Sequence, residues 1–280
     1  LLANIKNVNY EAKNVEPYKE SATSEVYGAL GLLADLKLFK KYNNSSHFFT
    51  PKLLLRGAPG SMRKETSGPR LDPISAYSLK RLDNQNNFET GASGTIGFDY
   101  KIKGLKNDFD FSVAQIINER ENIKMSDKSS LNEKLSDLVG SASLNLNNKF
   151  KVNYNFSLDQ NYNDLNYNEI GTNFDIGGLK LDLNFLQEKK HVGNQEYFET
   201  KVDFKNQENS LFSFETKRNL ITNSAEFYNL SYEYTNDCLR AGLVYRREFY
   251  NDSELEPENS LMFKLTLTPF GNINSPTFSK

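Results

Sequence analysis

The sequence predicts an all-β chain, a transmembrane antiparallel β-barrel of about fourteen strands. Three observations predict it: period-two alternation of apolar and polar residues, a regular succession of short and long connections, and the absence of any apolar run long enough for a helix. Apolar residues make up 38% of the chain. No stretch approaches the roughly 18 to 20 apolar residues that a spanning helix needs, whereas a spanning strand needs only about 9 to 11, half of them facing lipid.

The alternation is clearest from Ala142 to Leu158. Ala142, Leu144 and Leu146 interleave with Ser143 and Asn145, and after a turn at Asn147–Lys149 the apolar set is Phe150, Val152, Tyr154, Phe156 and Leu158. Leu179, Leu181, Leu183 and Phe185 alternate with Lys180, Asp182 and Asn184, and Phe198, Val202 and Phe204 alternate with Glu199, Lys201, Asp203 and Lys205. Period two means strand. One face is apolar and the other charged, as expected where one side meets acyl chains and the other lines a wet lumen. A chain with 15 Tyr and 20 Phe can furnish interfacial aromatic girdles without any Trp.

Tight connections are expected near Asn43–Ser45, Lys103–Asn107, Asn147–Lys149, Gly177–Gly178, Asn206–Asn209 and Asn236–Asp237. Long polar ones fall at Glu11–Thr23, Ala58–Asn87, Glu119–Ser136, Gln160–Tyr167, Glu188–Gln195, Asn219–Ser224 and Asn251–Glu258. If the short turns are periplasmic, the C-terminus at Lys280 is periplasmic too. Ala58–Asn87 is long enough to hold an extra hairpin or a segment folded into the lumen, held by the turn pairs Pro59-Gly60 and Gly68-Pro69.

The 34 cationic and 36 anionic side chains leave no net basic charge, so no nucleic-acid partner is expected. His47 and His191 are the only histidines and are far apart in sequence, so neither a metal site nor a catalytic site is expected, nor any cofactor. There is no phosphate-binding glycine loop. Leu1 is followed at once by strand-like sequence without signal-peptide features. A fragment is expected, residues 1–280 being the C-terminal part of an outer-membrane barrel domain.

Several stretches resemble one family. Thr50–Arg63 (TPKLLLRGAPGSMR), Arg70-Leu71-Asp72, Gly91–Tyr100 (GASGTIGFDY), Asn236–Tyr245 (NDCLRAGLVY) and Leu255-Glu256-Pro257 are similar to the C-terminal domain of LptD, the outer-membrane protein of lipopolysaccharide (LPS) assembly, particularly in its alphaproteobacterial forms. None of these strings is a catalytic signature; the resemblance rests on their number and order. It implies that the chain is the second half of a larger barrel, lacking the early strands and an N-terminal periplasmic domain. It also implies a cell outer membrane location, LPS as cargo, outer-membrane lipids as surroundings, the plug lipoprotein LptE and the periplasmic bridge protein LptA as partners, and delivery to the outer leaflet through a lateral opening between first and last strands.

On that reading the closing strand at the gate is about Leu261–Thr268, with Leu261, Phe263, Leu265 and Leu267 on one face, and Pro269, which cannot donate to a ladder, ends the pairing. Cys238 is the one cysteine, placed just after a short turn and sharing parity with Arg240, Arg246 and Glu248. An unpaired cysteine in an oxidising compartment suggests a partner outside this segment. In the family, cysteines here form disulfides with upstream cysteines; this chain has one where well-studied members carry two adjacent ones, so at most one such bridge can form. Arg63, Arg70, Arg240 and Arg246 are candidates for contact with LPS phosphates. For the Arg56–Arg70 region, the alternative is a loop that folds inward and fills the barrel. A passive porin or receptor-type channel shares the same periodicity and is the alternative function; a surface-attached sheet protein without a membrane role is a third.

Overall fold

A computed structural model describes the chain except residues 17, 67–69, 83, 207–208, 250–257, 268–270, 275–277 and 280. The expected turn at Gly68-Pro69, most of the Asn251–Glu258 connection, the centre of the Asn206–Asn209 turn, Leu255-Glu256-Pro257 and Pro269 lie outside the described residues. The fold is all-β and antiparallel, with one 3-10 turn at Ser75–Tyr77.

Fourteen strands of nine residues or more follow one another: β1 (Leu2–Tyr10), β2 (Thr23–Asp35), β4 (Ser45–Ala58), β5 (Gly91–Gly104), β6 (Asn107–Asn118), β7 (Leu138–Leu146), β8 (Phe150–Leu158), β9 (Leu165–Ile176), β10 (Leu179–Glu188), β11 (Gln195–Asn206), β12 (Ser210–Asn219), β13 (Ser224–Thr235), β14 (Leu239–Glu248) and β15 (Asn259–Leu267). Three short pieces, β3 (Leu38–Lys41), β16 (Gly271–Asn274) and β17 (Phe278–Ser279), complete the set. β2 and β3 pair with the same strand, β4, and are one strand interrupted at Leu36 and Lys37. The interruption lies opposite Pro51, whose nitrogen has no hydrogen to give the ladder. Short turns alternate with long connections as the sequence predicts. Two of the short ones are two-residue hairpins with both central residues at positive φ, Asn147 and Asn148 (53° and 55°) and Gly177 and Gly178 (58° and 89°), the conformation that matches strand twist.

The chain divides into two compact units. Unit 2, residues 145–153, 169–187 and 195–280, keeps the simple two-faced pattern. Its register aligns Phe204, Phe212, Tyr232, Leu243 and Phe263 in one row across β11–β15, and Val202, Phe214, Leu230, Tyr245 and Leu261 in the next. Phe204, Phe212, Tyr232, Leu243 and Phe263 are all exposed. The opposite face carries Lys201, Glu215, Asn229, Arg246 and Ser260 in register. Opposed side chains of a row share a face, so the sheet presents one apolar and one polar surface.

Unit 1, residues 1–144, 154–168 and 188–194, departs from the expected apolar-and-charged division. Its outward face is apolar, with Leu30, Leu32, Leu55 and Ile96 exposed, but its other face carries Val8, Tyr27, Ala29, Leu54, Ala114 and Ile116, all buried. The connection from β4 to β5 covers that face. Its described residues form no hairpin; Met62, Leu71, Ala76, Leu79, Leu82 and Phe88 pack from it in two hydrophobic clusters against the strands. Two glycines make room. A Cβ on Gly31 would sit 2.6 Å from Leu79 Cδ2, and one on Gly97 would meet Val113 O at 2.0 Å and the Tyr77 hydroxyl at 2.7 Å.

The expected end of pairing at Pro269 is corrected. β15 pairs with β14 on one edge and with β16 and β17 on the other, Leu267 opposite Gly271 and Leu261 opposite Phe278. Among the described residues pairing resumes at Gly271.

Candidate functional site: the long-loop end and the polar wall

Buried ion pairs fix the loops of unit 1. Arg81 holds Glu89 through two bonds, Nε to Oε2 at 2.8 Å and Nη2 to Oε1 at 2.9 Å, with side chains 0% and 5% exposed. Arg56, on β4, donates to the carbonyl oxygens of Leu79 (3.0 Å) and Glu89 (2.7 Å). The later part of the loop, from Leu79 to Glu89, is thus tied by two guanidinium groups whose donors find fixed acceptors.

A second clasp joins the connections 119–137 and 189–194 to the ends of β8 and β9. The buried Asp137 carboxylate accepts from Ser157 Oγ (3.0 Å) and Asn166 Nδ2 (2.9 Å) and faces Lys190 at 3.7 Å. Buried Glu188 accepts from the backbone N–H of Lys190 and His191 and faces Arg70 at 3.4 Å. His191 Nδ1 lies 2.6 Å from the Lys128 carbonyl. Burial holds the His191 pKa below its ordinary value, against the opposing pull of Glu188, the Lys128 carbonyl and Asp137. The His191–Asp137 approach, at 3.9 Å, is therefore that of a neutral ring at neutral pH. Tyr77 is pushed up to about 12, first by burial and then by the charge of Asp99.

The arginines singled out from sequence divide in two. Arg63 pairs with Glu25 at 2.6 Å and sits 4.9 Å and 4.8 Å from the ring centroids of Tyr10 and Tyr18. Arg70 lies 3.6 Å over the Tyr167 ring besides facing Glu188. Both hold the inward-folded loop, the alternative that the sequence left open for this region. Arg240 and Arg246 stand on the polar face of β14, paired with Glu233 at 2.8 Å and with Glu248. On the same polar face of unit 2, Lys180 pairs with Asp175 and Lys201 with Asp203. Cys238 is exposed in the β13–β14 turn, its N–H given to Asn236 Oδ1 at 3.0 Å. Leu261 and Phe263 are exposed on β15, and Leu265 and Leu267 are partly covered. His47 bonds Tyr100 at 2.7 Å, and the described residues contain no group of three metal-ligating side chains.

Sequence reasoning missed four of the buried charges, Arg81, Glu89, Asp137 and Glu188. All four stand in or beside long connections, where a charge reads as solvated, and nothing local announces their burial.

Strands with one apolar outward face and one polar or loop-covered inner face make this a protein of the outer-membrane β-barrel class. Residues 75–225 match the family model LptD, LPS transport system D, and the chain belongs to that family. Comparison with curated proteins finds no match. Among solved structures, a mutant porin of Rh. blastica aligns over 100% of both chains at 7% identity with a TM-score of 0.36, and a triple mutant of the Rhodopseudomonas blastica porin does so at 7% identity and 0.35. Scores this low carry no argument beyond the strands already described.

Proposed function

We propose that this chain is the barrel part of an outer-membrane translocon that inserts LPS into the outer leaflet through a lateral opening. Membership of the LPS transport family over residues 75–225 is the observation that carries the reading. The polar inner rows of β11–β15 support it, because a glycolipid in transit needs a hydrated path for sugars beside an apolar surface for acyl chains. The plug lipoprotein LptE and the bridge protein LptA belong to this reading as partners, the C-terminus is periplasmic, and no catalytic step is assigned to the chain. Cys238, at the short-turn end, is its point for a disulfide to an upstream cysteine.

The gate strand in this reading needs one adjustment. Leu261, Phe263, Leu265 and Leu267 belong to the last long strand, and β16 and β17 pair along the edge beyond it.

Depletion of the full-length protein tests the proposal. Surface LPS should fall and LPS accumulate behind the outer membrane while other barrels still assemble. Unchanged LPS together with altered small-solute uptake would leave an ordinary channel, as would stable solute conductance by the purified protein.

A further inference from the structure

Two cavities of unit 1 meet at the long-loop end of β5 and β6. The first is an open groove of about 690 Å³ on the apolar outer face. Leu30, Leu32, Leu55 and Ile117 wall it, all exposed, while Gly57 and Gly94 leave its floor without side chains. The register explains the recess: Leu30 lies opposite Gly57, Leu55 opposite Gly94, and Gly94 opposite Ile117, so that large residues flank small ones across four strands. The second is a polar pocket of about 460 Å³ among the loops, lined by Arg120 and Lys124. Ala92, Ser93 and Asn118 line both.

The charge at this junction is not internally balanced. Lys124 Nζ donates to Ser61 Oγ at 2.6 Å and to the Met62 carbonyl at 2.9 Å, which fixes the ammonium group and leaves one of its three protons to spend elsewhere. Among the described residues no carboxylate lies within ion-pair distance of Lys124, Arg120 or Lys134, the last at the groove's rim. Glu119 and Glu121 line the groove and the pocket, and Glu89, which also reaches the pocket, is held by Arg81. Three cations therefore face two available carboxylates. An apolar recess beside an excess of fixed cation is complementary to an amphipathic anion, with acyl chain on one side of the strand ends and phosphate on the other.

We propose that this junction binds the phosphorylated, acylated end of LPS, one acyl chain lying in the groove over Gly57 and Gly94 and a phosphate meeting Arg120 and Lys124. The identity of the lipid rests on the transport reading above; the geometry of an anionic acyl lipid does not. The site is on the outer wall of β2–β6 and would hold lipid against that wall at the long-loop end.

Native mass spectrometry of the protein extracted from outer membranes tests it. A Cβ on Gly57 would meet nothing within 4 Å, so a leucine there can extend into the groove without moving the strand backbone. Wild type should retain LPS, and Gly57→Leu and the pair Arg120→Ala with Lys124→Ala should each lower retention by about tenfold, with heat-modifiable gel mobility unchanged. Equal retention in all three proteins, or loss with Gly57→Leu alone, overturns the site. Retention of phosphatidylglycerol in place of LPS overturns the assignment of the lipid. Because the readout is binding to purified protein, failure of the depletion experiment leaves it separately interpretable.

Discussion

Replacing Glu89 by alanine should destabilise the barrel more than any comparable change at its surface. The Arg81 guanidinium is fully buried, and its two bonds to Glu89, with a third to Ser93 Oγ at 2.8 Å, are its charge-assisted and polar anchorage. Removing the carboxylate leaves the Arg81 charge with one hydroxyl partner and takes the nearby carboxylate from the buried Arg56 as well, which costs about 3–5 kcal/mol. The cost comes from stranding the charge rather than from losing the pair, and that distinction is testable. Arg81→Met with Glu89→Met removes the stranded Arg81 charge and should recover part of the loss, the remainder reflecting Arg56, which lies 3.9 Å from Glu89 and keeps its charge. Equilibrium urea unfolding in detergent, followed by tyrosine fluorescence because the chain has no Trp, measures both. A loss under about 1 kcal/mol for Glu89→Ala, the range of an exposed pair, would refute the reasoning, as would a double variant no better than the single.

Three further outcomes are expected. Because the folded His191 pKa lies below its ordinary value, the folded state binds fewer protons than the unfolded. Stability is therefore full above the unfolded value near 6.5 and declines as pH falls toward the folded one; His191→Gln should flatten the urea midpoint between about pH 7 and 5. Gly97→Ala forces a methyl onto Val113 O and Ala114 Cα and should cost at least about 1–3 kcal/mol, whereas Gly57→Ala meets nothing within 4 Å and should be neutral. Cys238, exposed in a short turn, should react after reduction with a membrane-impermeant maleimide only once the outer membrane is permeabilised; labelling of intact, reduced cells would invert the assigned orientation.

The legible part of this fold is the part where each strand face has one neighbour. In β11–β15 the even positions of Phe198–Phe204 and the odd positions of Leu243–Phe263 meet one environment and the opposite positions another, so period two survives into the sequence. Unit 1 loses that signal because its inner face is also covered. Leu53, Leu54 and Leu55 read as an uninterrupted apolar run; Leu54 is fully buried beneath the inward loop while Leu55 is half exposed on the other side. The covering residues, Met62, Leu71, Leu79 and Phe88, have no common period, since a segment without regular structure imposes none. The same holds for the site. Arg63 and Arg70 were visible as charges, but their engagement by Glu25 and Glu188, 38 and 118 residues away, is a tertiary fact.

The edge beyond β15 allows the gate assignment to be argued to a decision. β15 is joined to β14 by nine register pairs, and among the described residues β16 and β17 pair along its other edge. Leu265 and Ile273 are direct partners across that seam. A disulfide between Leu265→Cys and Ile273→Cys, made in a Cys238→Ser background, would lock β15 to β16 and leave the outer edge of β16 free. Surface LPS should then remain at its unlocked level, reversed neither up nor down by reductant. Loss of display that reductant restores would mean that the seam on β15 itself is what parts, returning the gate to Leu261, Phe263, Leu265 and Leu267 and making β16 and β17 its removable cover.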